Sequence, residues 1–283
     1  MTTAVVLSGG ANLGAVHVGM LHALIDEGVR PDLIVGTSVG ALNGLFMASR
    51  WDRAGVDGLD VLWGAMRRST VFPTRFVGGL LGFIGRRDHL VPPDGLRGLV
   101  EMHAGFGRLE DAPIPLHVVA TDLLTGVDRR FSSGPAVDAV MASAAIPAVF
   151  PPVVIGGVPY IDGGVVNNTP ISHAVDLGAD EIWVLPAGTA CGLAAAPSST
   201  LGIALHAVTV LINRRLQRDI EIFQDRCTMH VLPPLCPVAV GPSDFGRARE
   251  LIDRSYLSST DWIRSPRAES GDLAGLLTHP HDR

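Results

Sequence analysis

Twice within the first fifty residues a short apolar run enters a glycine-containing turn and then a helix-patterned stretch of small residues. That rhythm leaves few folds open. Ala4 to Leu7 reads as a buried strand, Ser8-Gly9-Gly10-Ala11-Asn12-Leu13-Gly14 as a loop, and Gly14 to Glu27 as a helix. Ala15, Val18, Leu21, Leu24 and Ile25 fall at helical spacing, and Gly28 ends the run. Asp32 to Val35 is the next strand, Gly36 to Gly40 a turn, and Ala41 to Ser49 a second helix. Parallel strands joined by crossover helices account for this order. The expected fold is α/β, a three-layer α/β/α arrangement around a mostly parallel central sheet, with its site at the carboxyl ends of the first strands.

From Trp51 to Glu110 the periodicity loosens. Val71 to Ile84 mixes aromatic and aliphatic residues with glycines ahead of Arg86-Arg87. Such a segment reads as core, as loop, or as a transient contact with a membrane surface. Leu116 to Thr121 and Asp128 to Ser132 then read as partner strands and Pro135 to Ala145 as a helix. Val153 to Ile155 and Val158 to Ile161 form a hairpin about Gly156-Gly157, leading straight into Asp162-Gly163-Gly164. A helix at Pro170 to Leu177, a strand at Glu181 to Leu185, a long helix at Leu201 to Phe223, a strand at Thr228 to Leu232 and a helix at Asp244 to Ile263 complete the alternation. Leu201 to Ile212 is the most hydrophobic helical stretch. Short of the roughly 20 apolar residues a membrane span requires, it reads as a buried core helix. No repeat or linker divides the chain, so residues 1–270 are expected as one domain and 271–283 as a flexible tail.

The chain has 283 residues, enough to bury a sizeable core. All 22 of its basic residues are Arg, against 28 acidic ones, for a net charge of -6. The absence of a basic field argues against nucleic acid as a partner. Cys191, Cys227 and Cys236 include no CxxC pair, which points to reduced, buried thiols and away from a metal site. Met1-Thr2-Thr3-Ala4 runs directly into the first strand without a leader pattern, so the cytoplasm is the expected compartment, with the membrane contact above as a peripheral association. Oligomeric state is not legible.

Gly36-Thr37-Ser38-Val39-Gly40 fits G-x-S-x-G, the pattern of a serine on a sharp strand-to-helix turn. The glycine loop at Ser8 to Gly14 offers backbone N–H groups to an anion. Phosphate is one candidate, but the spacing matches neither G-x-G-x-x-G nor a P-loop and there is no lysine. The oxyanion of an acyl intermediate suits the neighbouring serine better. None of the ten histidines is an obvious base, whereas Asp162, at the end of a hairpin strand, can serve if partial burial raises its pKa.

Together the Gly9-Gly10 loop, the Ser38 elbow, Ala142-Ser143-Ala144-Ala145-Ile146-Pro147 with Phe150-Pro151-Pro152, and Tyr160-Ile161-Asp162-Gly163-Gly164 resemble the patatin-like phospholipases. The likeness runs from about Ala4 to Trp183. It implies a Ser–Asp dyad of Ser38 and Asp162, an oxyanion hole at Gly9, Gly10 and Ala11, a lipid or other acyl ester as substrate, and neither metal nor organic cofactor. The sequence departs from the family at Ala11 and Leu13, where a third glycine and a Lys or Arg are usual. That departure leaves a non-catalytic regulatory or scaffolding member of the fold as the alternative.

Overall fold

A computed structural model describes residues 1–71, 89–188, 200–236, 238 and 244–265. Residues 72–84 of the segment read as a membrane contact, and the tail, lie outside the described residues; Val71 itself is buried.

The strands are β1 (Thr3–Leu7), β2 (Leu33–Thr37), β3 (Leu116–Asp122), β4 (Asp128–Phe131), β5 (Val153–Ile155), β6 (Val158–Asp162), β7 (Glu181–Leu185) and β8 (Thr228–Val231). Among the described residues the helices of four or more residues are α1 (Gly14–Asp26), α2 (Val39–Ser49), α3 (Arg53–Ala65), α4 (Arg68–Val71), α5 (Asp94–His103), α6 (Ala136–Ser143), α7 (Ile171–Asp176), α8 (Thr200–Phe223) and α9 (Ala248–Ile263). All strands join one sheet, in which β3, β2, β1, β7 and β8 run parallel and β4, β5 and β6 pair antiparallel at one side. The expected α/β class, with a mostly parallel sheet between helices, is therefore the observed one.

Period-2 alternation divides the sheet's side chains between two cores. Val5, Leu7, Ile34 and Val118 pack with α1, α2, α3, α6 and α9, while Ala4, Val6, Val35 and Val119 pack with α7 and α8. Helix α1 is buried from Gly14 to Leu24 because the sheet covers one side and α9 and α3 cover the other.

Register along β3 positions the site. Ile34 to Thr37 of β2 pair with Leu116 to Val119, and Asp162 to Tyr160 of β6 pair with Ala120 to Asp122. Strand β4 pairs continuously from Val118 to Thr121 and so occupies the other edge of β3. Strands β2 and β6 must therefore share one edge, meeting head to head where Thr37 gives way to Asp162.

Three expectations are corrected. The loosened stretch contains two amphipathic helices, α3 and α5. In α3 the glycines at 55, 58 and 64 lower intrinsic propensity, but Val56, Leu59, Leu62 and Trp63 bury one face and the Asp52 carboxylate caps the Gly55 N–H at 2.8 Å. Strand β2 runs on to Thr37 and α2 begins at Val39, so the turn between them is Ser38 alone. Cys236 is disulfide-bonded while Cys227 is a free thiol, because pairing follows spatial separation, which sequence spacing does not report.

Candidate active site

A one-residue reversal from strand to helix demands an unusual backbone. Ser38 has φ 54° and ψ −123°, a conformation costing about 1–3 kcal/mol that surrounding structure must hold in place. Part of that hold is close packing of backbone on backbone. A Cβ at Gly36 would lie 2.6 Å from the Gly40 carbonyl oxygen, and one at Gly40 would overlap the carbonyl of Leu7. The two glycines of the elbow are required by steric contact rather than by loop flexibility.

The rest of the hold is polar. The Ser38 N–H donates to Ser143 Oγ at 2.7 Å, and Ser143 Oγ donates onward to the Val119 carbonyl at 2.6 Å. Ser143 is fully buried at the end of α6, so its hydroxyl stitches the elbow to the sheet. Ser143→Ala leaves two buried backbone groups unpaired and is expected to cost about 2–4 kcal/mol in stability. Chemical denaturation of the two proteins at one pH checks this; a loss below 1 kcal/mol would show that the elbow stands without the stitch.

Ser38 Oγ donates to Asp162 Oδ2 at 2.7 Å. The other carboxylate oxygen accepts the Gly164 N–H at 2.7 Å, and Thr121 Oγ1 holds the Asp162 carbonyl at 3.0 Å. Both side chains are buried, and burial pushes Asp162 up to about 6 against the lowering pull of its two hydrogen bonds. No histidine among the described residues is hydrogen-bonded to either. His17 and His117 are both pushed down to about 4 by burial and sit instead beside Asn43 and Ser132, as packed side chains.

The glycine loop comes to the same edge from β1. The Gly9 N–H donates to the Asn168 carbonyl at 2.9 Å and is thereby spent, which removes it from the three donors expected there. The N–H groups of Gly10 and Ala11 have no acceptor among the described residues, nor does that of Val39 at the start of α2. Ala11 has φ 50°, so the alanine keeps a backbone conformation that glycine adopts more readily. Asn12 bonds the Asp244 carbonyl through Nδ2 at 2.7 Å, a tie to the chain just before α9.

Sequence reading missed Asn168, which clamps Gly9 from across the sheet by its carbonyl and, at 3.3 Å, by its amide. It also missed the part played by Ser143, although the motif containing that residue was visible. An apolar pocket lined by Ala11, Leu42, Trp63, Leu96, Phe150 and Phe245 opens onto Ser38. Trp63 and α1 are fixed to one another through Asn43, which accepts the indole N–H at 3.0 Å and donates to the Gly14 carbonyl at 3.0 Å.

A mixed sheet with a serine on a strand-to-helix elbow, its hydroxyl bonded to a buried carboxylate and an open glycine loop beside it, defines an α/β protein of the serine-elbow class. The patatin-like phospholipase family model matches residues 5–175, more than half of the chain, and the chain belongs to that family. It is 28% identical over 184 residues to lysophospholipase NTE1 of Pyricularia oryzae, covering 65% of this chain and 12% of that one. To an uncharacterised NTE family protein of Mycobacterium tuberculosis it is 32% identical over 179 residues, covering 61% and 45%. The chain thus spans less than half the length of these curated relatives. Among solved structures, VipD from Legionella pneumophila superposes with a TM-score of 0.44 at 14% identity, covering 93% of this chain and 66% of that one.

Proposed function

We propose that this protein is a serine acyl hydrolase that cleaves lipid acyl esters through Ser38 and Asp162. The 2.7 Å hydrogen bond from Ser38 Oγ to a buried carboxylate carries the reading. With its pKa near 6, Asp162 is ionised at neutral pH yet basic enough to take a proton. Membership of a phospholipase family and the apolar pocket at Ser38 support a lipid as the source of the ester.

In this mechanism Ser38 Oγ bonds to the ester carbonyl carbon as its proton passes to Asp162. The carbonyl π pair moves onto oxygen, where the N–H groups of Gly10 and Ala11 stabilise it. Collapse of the tetrahedral intermediate expels the alkoxide, which leaves as the alcohol with the proton from Asp162. Water, deprotonated by the same carboxylate, then attacks the acyl-serine, and the acid departs as Ser38 recovers its proton.

A fluorophosphonate probe read by intact mass tests the nucleophile without knowledge of the substrate. The expected result is one adduct on the wild-type protein and none on Ser38→Ala. A folded wild-type protein that takes up no probe would overturn the proposal in favour of a non-catalytic regulatory or scaffolding role.

A further inference from the structure

Helix α8 is longer than the sheet it serves. Its 24 residues extend about 36 Å at 1.5 Å per residue. The strands it connects, of five and four residues, reach only about 13–17 Å. Its C-terminal half is anchored in the core. Leu216 and Ile220 are buried in the core formed with Val6, Ile182 and Val231, and Arg215 holds Asp219 at 2.8 Å and reaches the Val166 carbonyl at 3.4 Å.

Strand β7 runs parallel to β1 and β2, so it leaves the sheet at the edge carrying Ser38, and β8 begins at the opposite edge. The first turns of α8 therefore lie toward the Ser38 side. Here the expectation of a buried core helix from Leu201 to Ile212 is corrected over its described side chains, since neither Ile203 nor any residue from His206 to Ile212 is fully buried. Ile203 is 57% exposed and Leu211 69%, with Val208 and Val210 also exposed. At 100° per residue these four and Ala207 cover an arc of about 160°, wider than the stripe of a helix lying on a core.

Between Thr200 and Asn213 there is no Asp, Glu or Arg; Arg214 and Arg218 follow on the same arc, both exposed. The same edge of the sheet exposes Leu124 in the turn after β3. Large apolar surface left in water marks an interaction site.

We infer that the exposed arc on the N-terminal half of α8 docks on a lipid bilayer containing anionic lipid, with Ile203, Val208 and Leu211 in the headgroup–acyl boundary and Arg214 and Arg218 at headgroup level. Two observations select a bilayer over a protein groove: the breadth of the apolar arc suits a medium that is apolar on all sides, and the arginines continue that arc directly. A third, that the start of α8 and Ser38 lie toward the same edge of the sheet, rests on the acyl hydrolase reading. No helix among the described residues is long and apolar enough to cross a membrane, so the contact is interfacial.

Flotation with vesicles of phosphatidylcholine and phosphatidylglycerol tests the surface, using wild type, Val208→Asp with Leu211→Asp, and Leu257→Asp as a control at an exposed apolar position on α9. The double variant is expected to bind vesicles at least tenfold more weakly, while the control binds like wild type. Hydrolysis of a soluble short-chain ester is expected to be the same in all three. Unchanged vesicle binding in the double variant, or no binding by wild type, would overturn the inference. So would a double variant that loses self-association in light scattering while keeping its vesicle affinity, since the face would then meet a second copy of the chain. Failure of wild type to cleave the soluble ester would count against the acyl hydrolase reading and leave the vesicle result to judge the surface separately.

Discussion

Asp162→Asn is expected to lower turnover of a soluble ester by about 10³-fold or more while making the protein more stable at pH 8. The loss follows because an amide cannot accept the serine proton. The gain follows from linkage. In the folded protein Asp162 titrates near 6, above its ordinary value of 3.8, so the native state holds this proton more tightly than the unfolded chain does. Stability is therefore lost as pH rises from about 4 through 6, and the fully ionised carboxylate costs about 3 kcal/mol at neutral pH and above. Asparagine keeps both hydrogen bonds, accepting from Gly164 and donating to Ser38 Oγ, without the charge. A thermal midpoint about 5 °C higher than wild type at pH 8, with the gap closing toward pH 4, is the expected pattern. A gap that stays constant with pH would show that desolvation of Asp162 is not the cause. Turnover by the wild-type protein should show the same group as an acid limb, rising with pH until Asp162 is ionised.

Gly40→Ala is the second large effect. The added methyl has no side chain to displace, since it meets the Leu7 and Ser8 carbonyls of β1 and its loop. Relief requires α2 to move off the sheet, carrying Ser38 at its first turn. We expect a loss of about 3 kcal/mol in stability and at least about 10²-fold in turnover, because a shift near 1 Å spoils the alignment of a reacting oxygen. Urea unfolding measures the first and ester hydrolysis under native conditions the second. An alanine variant with wild-type turnover would mean that α2 and β1 separate without disturbing the elbow.

These two residues differ in how they were legible. Gly40 belongs to a five-residue pattern whose meaning is local: a strand, one reversing residue and a helix must pack within one turn, and the sequence displays all three. Asp162 was legible as a carboxylate closing a hairpin strand, and its pairing with Ser38 was legible only through the family resemblance. Its meeting with Ser38 depends on β2 and β6 sharing one edge of β3, a consequence of register among strands distant in the chain. Gly9 shows the opposite outcome. Its loop was recognised, yet its N–H is taken by Asn168, 159 residues away. Ser143 was visible as a letter in a motif, while its task of joining the Ser38 N–H to the Val119 carbonyl appears only in space.

Helices divide along similar lines. For α1 and α2 the apolar spacing and flanking glycines were enough, because each lies directly on the sheet. For α3, glycines obscured a periodicity that packing against α1 and α2 restores. For α8 the pattern gave a helix and its length correctly but not its surroundings. Hydrophobicity is a property of residues, whereas burial depends on what lies opposite, and Ile203, Val208 and Leu211 of α8 face water although their residue types match a core.

By itself the sequence determined the alternation of strands and helices, the elbow at Ser38, the glycine loop and the carboxylate at Asp162, since each rests on interactions within one or two turns of chain. Tertiary structure alone decided which donors of the loop stay open, what holds the strained serine, how far burial raises Asp162, and which apolar surface faces water. Those are set by contacts between segments far apart in the chain, where free energy depends on distance and solvent exclusion that residue order does not encode locally.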